Sequence, residues 1–404
     1  MGEAQASGME ASGMTRQPVL DRHRRLVGYE YRFRGPQSAS MESGLSRPDI
    51  RRLFGERTAF VPAPERPADC PLGQILPPAQ LVLQFATDSS DPSAVAERLG
   101  EAKAAGFHTA VTVGGDAESA LPAGTDFLHL DSAQLSEEAL GTWIAAAQSA
   151  GTRLVAANVH SLNQFRQLLR RGFHYFQGPF FTRPVRLSQE PIPAQKSTLL
   201  RIFRLLEADA EVGEIEALFK LAPELSYRLL KLLNSAAFAL PRRIQSIRQA
   251  LVMLGRRNIR KWVAVLLYTG EAGDFSSPLL AEAVIRGRMM ELATQAAGRD
   301  SAFADAAQIA GTLSVAPGLL NRPMEQVVEE LQLETAISDA LLHGSGDLGA
   351  LLHQVQTMRE QGCLSAPPSA GTLAAGEADL VFYEQKATLE QATLELENAG
   401  TAGD

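Results

Sequence analysis

The stretch RLVAANVHSLNQFRQLLRRGFHYFQG (residues 153–178) sets a short apolar run, an amphipathic segment closed by Gly172 and a second short apolar run in direct succession. Strand, helix and strand joined in this way form a βα unit, whose two strands run parallel because a helical crossover separates them. The same alternation extends upstream. Candidate strands are LVLQF (81–85), HTAVTV (108–113), FLHL (127–130), RLVAANV (153–159) and HYFQG (174–178). Helical stretches such as PSAVAERLGEAKAAG (92–106) and SEEALGTWIAAAQSAG (136–151) lie between them, each ending in a glycine suited to a helix C-terminus. Repeated βα units build a parallel sheet that either closes or stays open. No GxGxxG loop follows the first of these strands, which counts against an open dinucleotide-binding sheet and favours a (β/α) barrel. In a barrel the chemistry sits at the C-terminal strand ends, so those positions are the ones to inspect.

Beyond the proline-containing linker FFTRPVRLSQEPIPAQK (180–196) the texture changes to helices alone. Pro223 suits a first helical position, and Leu225, Leu229 and Leu232 recur at helical spacing after it. Ser246 reads as an N-cap for IRQALVMLG, which places Ile247, Leu251 and Leu254 on one face and ends at Gly255. A further helix, NIRKWVAVLLY, turns Ile259, Trp262 and Leu266 inward. No stretch from 196 to 360 reads as a strand, so the second half is expected to be an all-helical bundle. The expected organisation is a disordered 1–13, a barrel over 14–190, a helical domain over 191–395 and a disordered 396–404. Toward the end of the sequence, FYEQKATLEQATLELEN (382–398) reads as a charged helix with a solvated face.

The 404 residues, 45% apolar and 21% charged, suit two packed domains. A formal net charge of −8 gives no overall attraction to polyanions, which disfavours nucleic acid as a partner unless a local basic patch supplies it. Two cysteines, Cys70 and Cys363, are too few for a disulfide framework or a cysteine-rich metal site, and fit a reducing compartment. No run of about 18 apolar residues is present and the N-terminus lacks a basic-then-apolar layout, so a cytoplasmic protein without a membrane segment is expected.

A metal-dependent hydrolase in such a barrel needs carboxylates at the strand ends. The sequence places Gln84, Thr112, Val113, Ala157 and Asn158 there, with only Glu30 and Asp131 charged. Asp131 reads as a helix N-cap or loop anchor in preference to a ligand. Here a specific resemblance enters. RQPVLDRHRRLVGYEYRFRG (16–35) resembles the opening of EAL domains in a truncated-barrel form, with Glu30 at the position of the name-giving glutamate. RLVAANVHSLNQF resembles the later strand and helix of that family, and FHYFQGPFFTRP (173–184) its closing YxQGYxFxxP motif. The resemblance implies a fold related to barrels that hydrolyse cyclic di-GMP with a carboxylate-bound metal pair. It also implies that the catalytic set is largely replaced. The family's metal-binding glutamate falls on Gln84, its paired aspartates on Thr112 and Val113, its lysine on His129, a second glutamate on Ala157 and an early asparagine on Pro62. Glu30 and Gln177 remain. Neither hydrolysis nor a metal or other cofactor is therefore expected, and Glu30 is expected to pair with Arg32, Arg34 or His129.

The helical half resembles HDOD domains, relatives of HD phosphohydrolases, over about 195–395. The stretches that carry this are 199–238, 244–268 and AQIAGTLSVAPGLLNRPMEQVVEELQL (307–333). No His-Asp dipeptide occurs. Of the seven histidines, His23, His108, His129, His160, His174, His343 and His353, only the last two lie in this half, where an exposed placement is expected. Between Arg242 and Lys261 the chain carries Arg242, Arg243, Arg248, Arg256, Arg257, Arg260 and Lys261 and no acidic residue. Two readings stand: a solvated face with salt bridges to the other domain, or a docking patch for an acidic partner or a phosphate-bearing ligand. The resemblances together imply a non-catalytic signal-transduction regulator that works through contacts with other signalling proteins in cyclic di-GMP networks. The alternatives are a cyclic di-GMP sensor without hydrolysis and a nucleic-acid-binding regulator.

Overall fold

The computed structural model describes residues 13–34, 47–86, 92–115, 120–183, 192–234, 244–269 and 277–361, together with 383, 384, 386–388 and 391. Eight strands close a barrel in sequence order: β1 (Gly13–Asp21), β2 (Leu26–Arg34), β3 (Thr58–Pro62), β4 (Leu81–Ala86), β5 (His108–Val113), β6 (Phe127–Asp131), β7 (Arg153–Ala157) and β8 (Tyr175–Gln177). From β2 round to β8 all neighbours are parallel, whereas β1 runs antiparallel to both β2 and β8 and closes the ring. The expected strands correspond to β4 to β8, with β7 ending at Ala157 rather than Val159. β1 to β3 are additions to that reading, and β1 begins at Gly13, inside the segment expected to be disordered. Residues 1–12 and 396–404 lie outside the described residues.

Among the described residues the helix layer is thinner than the sheet. It comprises α1 (Arg47–Phe54), α2 (Pro92–Ala104), α3 (Glu137–Ala150) and α4 (Leu162–Arg170). Three short 3-10 turns, each begun by a proline (Pro67, Pro71 and Pro78), connect β3 to β4 in place of a helix. Strand alternation divides the apolar residues into two sets. Val19, Phe60, Val82, Ala110, Phe127 and Val155 fill the barrel interior, while Leu81, Leu83, Val111, Leu128 and Leu154 pack outward under the helices. One close approach holds β2 against β3: a Cβ on Gly28 would lie 2.0 Å from the Thr58 carbonyl oxygen. Gly28→Ala is expected to destabilise the chain by about 1–3 kcal/mol by forcing these backbones apart, read as a lower urea midpoint.

The second half is helical throughout its described residues. Its helices are α5 (Ala194–Glu207), α6 (Val212–Leu221), α7 (Pro223–Leu233), α8 (Ile247–Leu266), α9 (Pro278–Ala296), α10 (Ser301–Leu313), α11 (Ala316–Leu320), α12 (Met324–Leu331), α13 (Thr335–His343) and α14 (Gly346–Gln361). Ser246 caps α8 as expected, its hydroxyl accepting the Gln249 N–H at 3.1 Å. Gly255, at φ 77° and ψ 160°, interrupts α8 where the first helix was expected to stop, and the chain resumes helix at once. Ile259 and Leu266 are buried and Trp262 is partly so.

The two halves meet at one end of the barrel. Because β1 is antiparallel to β8 and Val19 pairs with Gln177, residues 13–18 run past the C-terminal end of β8. That end, together with the turn Pro179–Thr182, receives α9, α11 and α14. Gly318 of α11 lies so near that turn that a Cβ on it would sit 2.7 Å from the Thr182 carbonyl carbon and oxygen.

Candidate functional site

The inward parity set by Phe60, Val82, Ala110, Phe127 and Val155 continues along each strand toward its C-terminal end. On that parity, Pro62, Gln84, Thr112, His129 and Ala157 face the barrel axis near its mouth. Glu30 is level with Phe60 across the β2–β3 pairing, and Gln177 with Val19 across β1–β8. The structure thus gathers most of the positions singled out in the sequence onto one end of the barrel. Val113 is the exception: it has the opposite parity and is buried in the outer core beneath the helices.

Glu30 is engaged on both carboxylate oxygens. The Gln177 Nε2 donates to Oε2 at 2.5 Å and the Arg32 Nε to Oε1 at 3.3 Å. Of the partners expected for Glu30, Arg32 makes an ion pair, and the Arg34 side chain lies outside the described residues. Gln177 is buried, which fixes its amide and leaves the carboxylate held from the β8 side. His129 is 2% exposed and lies edge-on to Phe60 at 5.4 Å between ring centroids. Its Nε2 is buried without a hydrogen-bond partner. Burial drives the imidazole pKa down to about 4; the Glu30 charge opposes this and Arg32 adds to it. His129 is therefore neutral at physiological pH. Asp131, the other carboxylate on this face among the described residues, accepts from Asn158 Nδ2 at 2.7 Å and from the Ala133 N–H at 2.9 Å, as a loop anchor does.

The metal pair implied by the EAL resemblance does not fit these residues. Divalent cations of the magnesium class take several oxygen anions. Here Gln84, Thr112 and Ala157 stand at ligand positions, Val113 faces away, and the two carboxylates among the described residues of the mouth, Glu30 and Asp131, already accept other donors. Among the described residues no group of three or more His, Cys, Asp or Glu side chains is placed to hold a metal. His343 ends α13 and His353 lies on α14, exposed. Cys70 is a buried free thiol whose pKa burial pushes up, and Cys363 lies outside the described residues.

The basic stretch is met by acids of its own half. Arg248 pairs with Glu216 at 2.5 Å, Arg256 with Asp209 at 3.7 Å, and Arg257 with Asp305 at 2.8 Å. Arg260 pairs with Glu207 at 2.5 Å, and Lys261 with Glu291 at 2.7 Å and Asp305 at 2.5 Å. All of these acids belong to the helical half itself, and Arg260 and Lys261 are buried. Salt bridges to the other domain are therefore not what these five residues make. Arg242 and Arg243 lie outside the described residues.

Sequence reasoning missed a second polar cluster, at the seam between the halves. Arg359 of α14 is 7% exposed and pairs with Glu282 of α9, its Nη2 donating at 2.7 Å. It also pairs with Glu384 and donates from Nη1 to the Arg16 carbonyl at 3.0 Å. Arg286 donates to Glu282 at 2.7 Å. The sequence holds one trace of this, the helical i,i+4 spacing of Glu282 and Arg286. The remaining partners are far apart in the chain and each resembles an ordinary surface charge.

A closed eight-stranded barrel followed by a helical region defines the class of protein, and residues 192–381 of that region match the HDOD domain. Across both halves, the chain is 27% identical over 372 residues to the Cyclic di-GMP phosphodiesterase CdgJ of Vibrio cholerae, covering 85% of this chain and 84% of that protein. It is 24% identical over 367 residues to the uncharacterized protein YuxH of Bacillus subtilis, covering 85% and 89%. Among solved structures, an EAL domain protein from Listeria monocytogenes is similar at 14% identity and a TM-score of 0.34, over 43% of this chain and 87% of that one.

Proposed function

We propose that the protein is a non-catalytic regulator that works through contacts with other signalling proteins, in a system linked to cyclic di-GMP. The observation that carries the reading is the state of Glu30: the family glutamate is retained, but its oxygens are taken by Gln177 and Arg32. Among the described residues the other carboxylate on this face, Asp131, is tied to Asn158 and not placed to share a metal with Glu30. Without a metal, water activation at the mouth has no Lewis acid, and the buried His129, neutral but enclosed, is not positioned as a solvent-facing base. The 27% identity to a protein named as a cyclic di-GMP phosphodiesterase supports the link to that nucleotide while leaving activity to this chain's own residues. We assign 14–190 to the degenerate barrel and 191–395 to the helical domain, and place the protein in the cytoplasm. No helix among the described residues is long and apolar enough to cross a membrane. Incubation of the purified chain with cyclic di-GMP and Mg²⁺ or Mn²⁺ is expected to leave the nucleotide intact by chromatography; robust linearisation would sink the proposal.

A second reading, a sensor that binds cyclic di-GMP without cleaving it, draws on one feature. The mouth keeps polar groups for a nucleobase: the Gln177–Glu30 pair and an imidazole nitrogen with no hydrogen-bond partner. Calorimetry at tens of micromolar nucleotide separates the two readings, since a measurable heat supports the sensor. Nucleic-acid binding has no such support, because the described basic residues between 244 and 261 are matched by acids.

A further inference from the structure

The described residues of the C-terminal segment are Tyr383, Glu384, Lys386, Ala387, Thr388 and Gln391. All but Lys386 recur at the spacing of one helix face and are turned inward: Glu384 is 1%, Ala387 0%, Thr388 3% and Gln391 2% exposed. This face touches both halves of the protein at once. On the barrel side, the Arg16 N–H of β1 donates to Glu384 Oε1 at 3.1 Å, and the Arg16 guanidinium donates to Gln391 while stacking over Tyr29 at 4.0 Å. On the helical side, Glu384 pairs with Arg359, which is also bound to Glu282. The segment lies over the seam described above, beside the β1–β2 strand pairing that holds Glu30. There Gln17, the strand partner of Glu30, donates to the Glu360 carbonyl at 2.9 Å.

The fit of this segment is incomplete. Glu384 Oε2 and Thr388 Oγ1 are buried with no hydrogen-bond partner. Unsatisfied buried polar atoms subtract directly from the free energy of docking. The seam also holds a cavity of about 20 Å³ lined by Gln17, Thr182, Arg286 and Arg359, room for about one water. An element attached through a buried ion pair, with part of its polar surface unmatched, is held less firmly than the apolar cores on either side of it.

We propose that the face carrying Tyr383, Glu384, Ala387, Thr388 and Gln391 is a releasable clasp. Docked, it fastens β1 of the barrel to α9 and α14 of the helical half. Released, it uncovers a groove between β1 and α14 that accepts an amphipathic helix, and it loosens the helical half from the barrel mouth. The occupant of the groove is this chain's own face of Glu384, Ala387, Thr388 and Gln391. The clasp is a property of the seam and holds whether or not the mouth takes a nucleotide.

The test uses the full chain with a site-specific protease sequence in place of residues 368–373, cut after folding. Gel filtration then follows the C-terminal fragment, and hydrogen exchange follows the Arg16 amide, the end of α14 and the inner strands β4 to β6. The fragment is expected to stay bound at micromolar protein and to leave at least tenfold faster in Glu384→Gln. Departure should raise exchange at Arg16 and the end of α14 while leaving β4 to β6 unchanged. Three outcomes overturn the clasp: a fragment retained equally by both proteins, a departure that leaves Arg16 protected, or one that raises exchange throughout the chain. Where the inserted site disturbs folding, Glu384→Gln in the uncut chain is read by the same exchange. Tenfold faster exchange confined to Arg16 and the end of α14 supports the clasp, and an unchanged or chain-wide response overturns it.

Discussion

Arg359→Met is expected to lower the stability of the folded chain by about 3–5 kcal/mol, because it leaves Glu282 and Glu384 buried without their shared cation. The guanidinium serves three acceptors: both carboxylates and the Arg16 carbonyl. Burial alone would push the Glu282 carboxyl up, but Arg359 and Arg286 beside it outweigh that and bring it down to about 2. A carboxylate with a depressed pKa adds stability above its unfolded value near 4.5, and that stability is lost as pH falls toward 2. Glu384 goes the other way: burial raises its pKa and the Arg359 charge only opposes the rise. It therefore offsets part of the Glu282 contribution at neutral pH. Urea unfolding of Arg359→Met at pH 7 measures the total. A change below about 1 kcal/mol would mean that water enters the seam and solvates the two acids. Replacing Glu282, Arg359 and Glu384 together by apolar residues of similar size should recover much of the loss, since no stranded charge remains.

Replacing His129 by Phe is expected to remove about 3 kcal/mol of acid sensitivity between pH 8 and pH 4. In the folded chain the imidazole is buried and titrates at about 4, against 6.5 when exposed. As pH falls through 6.5 the unfolded chain takes up the proton and the folded chain does not, so stability drops until the folded value is reached. His174, lowered by burial, Arg153 and Arg22, acts in the same direction and is present in both proteins. The difference between wild type and His129→Phe, from urea unfolding across the window, isolates the one group. Equal slopes for the two proteins would show that the ring is solvated, and would remove the enclosed, neutral imidazole from the description of the mouth.

Part of this architecture was legible because its physics is local. Strands β4 to β8 are short apolar runs buried on both faces, as parallel strands between helices must be, so they stand out from their surroundings. β2 also carries an alternation: Tyr29 and Tyr31 are buried outward, while Glu30 lies inward. Its charges disguised it as a motif rather than a strand. β1 was hidden for a different reason. Arg16 and Gln17 are polar because they reach into the seam, where Glu384, Gln391, Arg359 and Glu360, more than 340 positions later, meet them. The C-terminal segment was misread on the same ground. Its charges suggested a solvated face, yet Glu384 and Gln391 are buried and Lys386 alone of its described charges is exposed. Sequence spacing locates partners one helical turn apart, and it is blind to an acid whose cation arrives from another domain. The mouth of the barrel falls between these cases. The positions of Gln84, Thr112, His129, Ala157 and Gln177 were readable, while the outward turn of Val113 needed the register of β5.

The antiparallel first strand also fixes an order of events during synthesis. β1 leaves the ribosome first and can pair at once with β2, only a four-residue turn away. Its other edge waits for β8, which ends at Gln177. At about 5–20 residues per second that edge stays unpaired for on the order of ten to thirty seconds. An open strand edge is a template for pairing with another chain. The nascent protein is therefore most exposed to misassembly before β8 emerges, and the barrel ring closes only once Gln177 has been made.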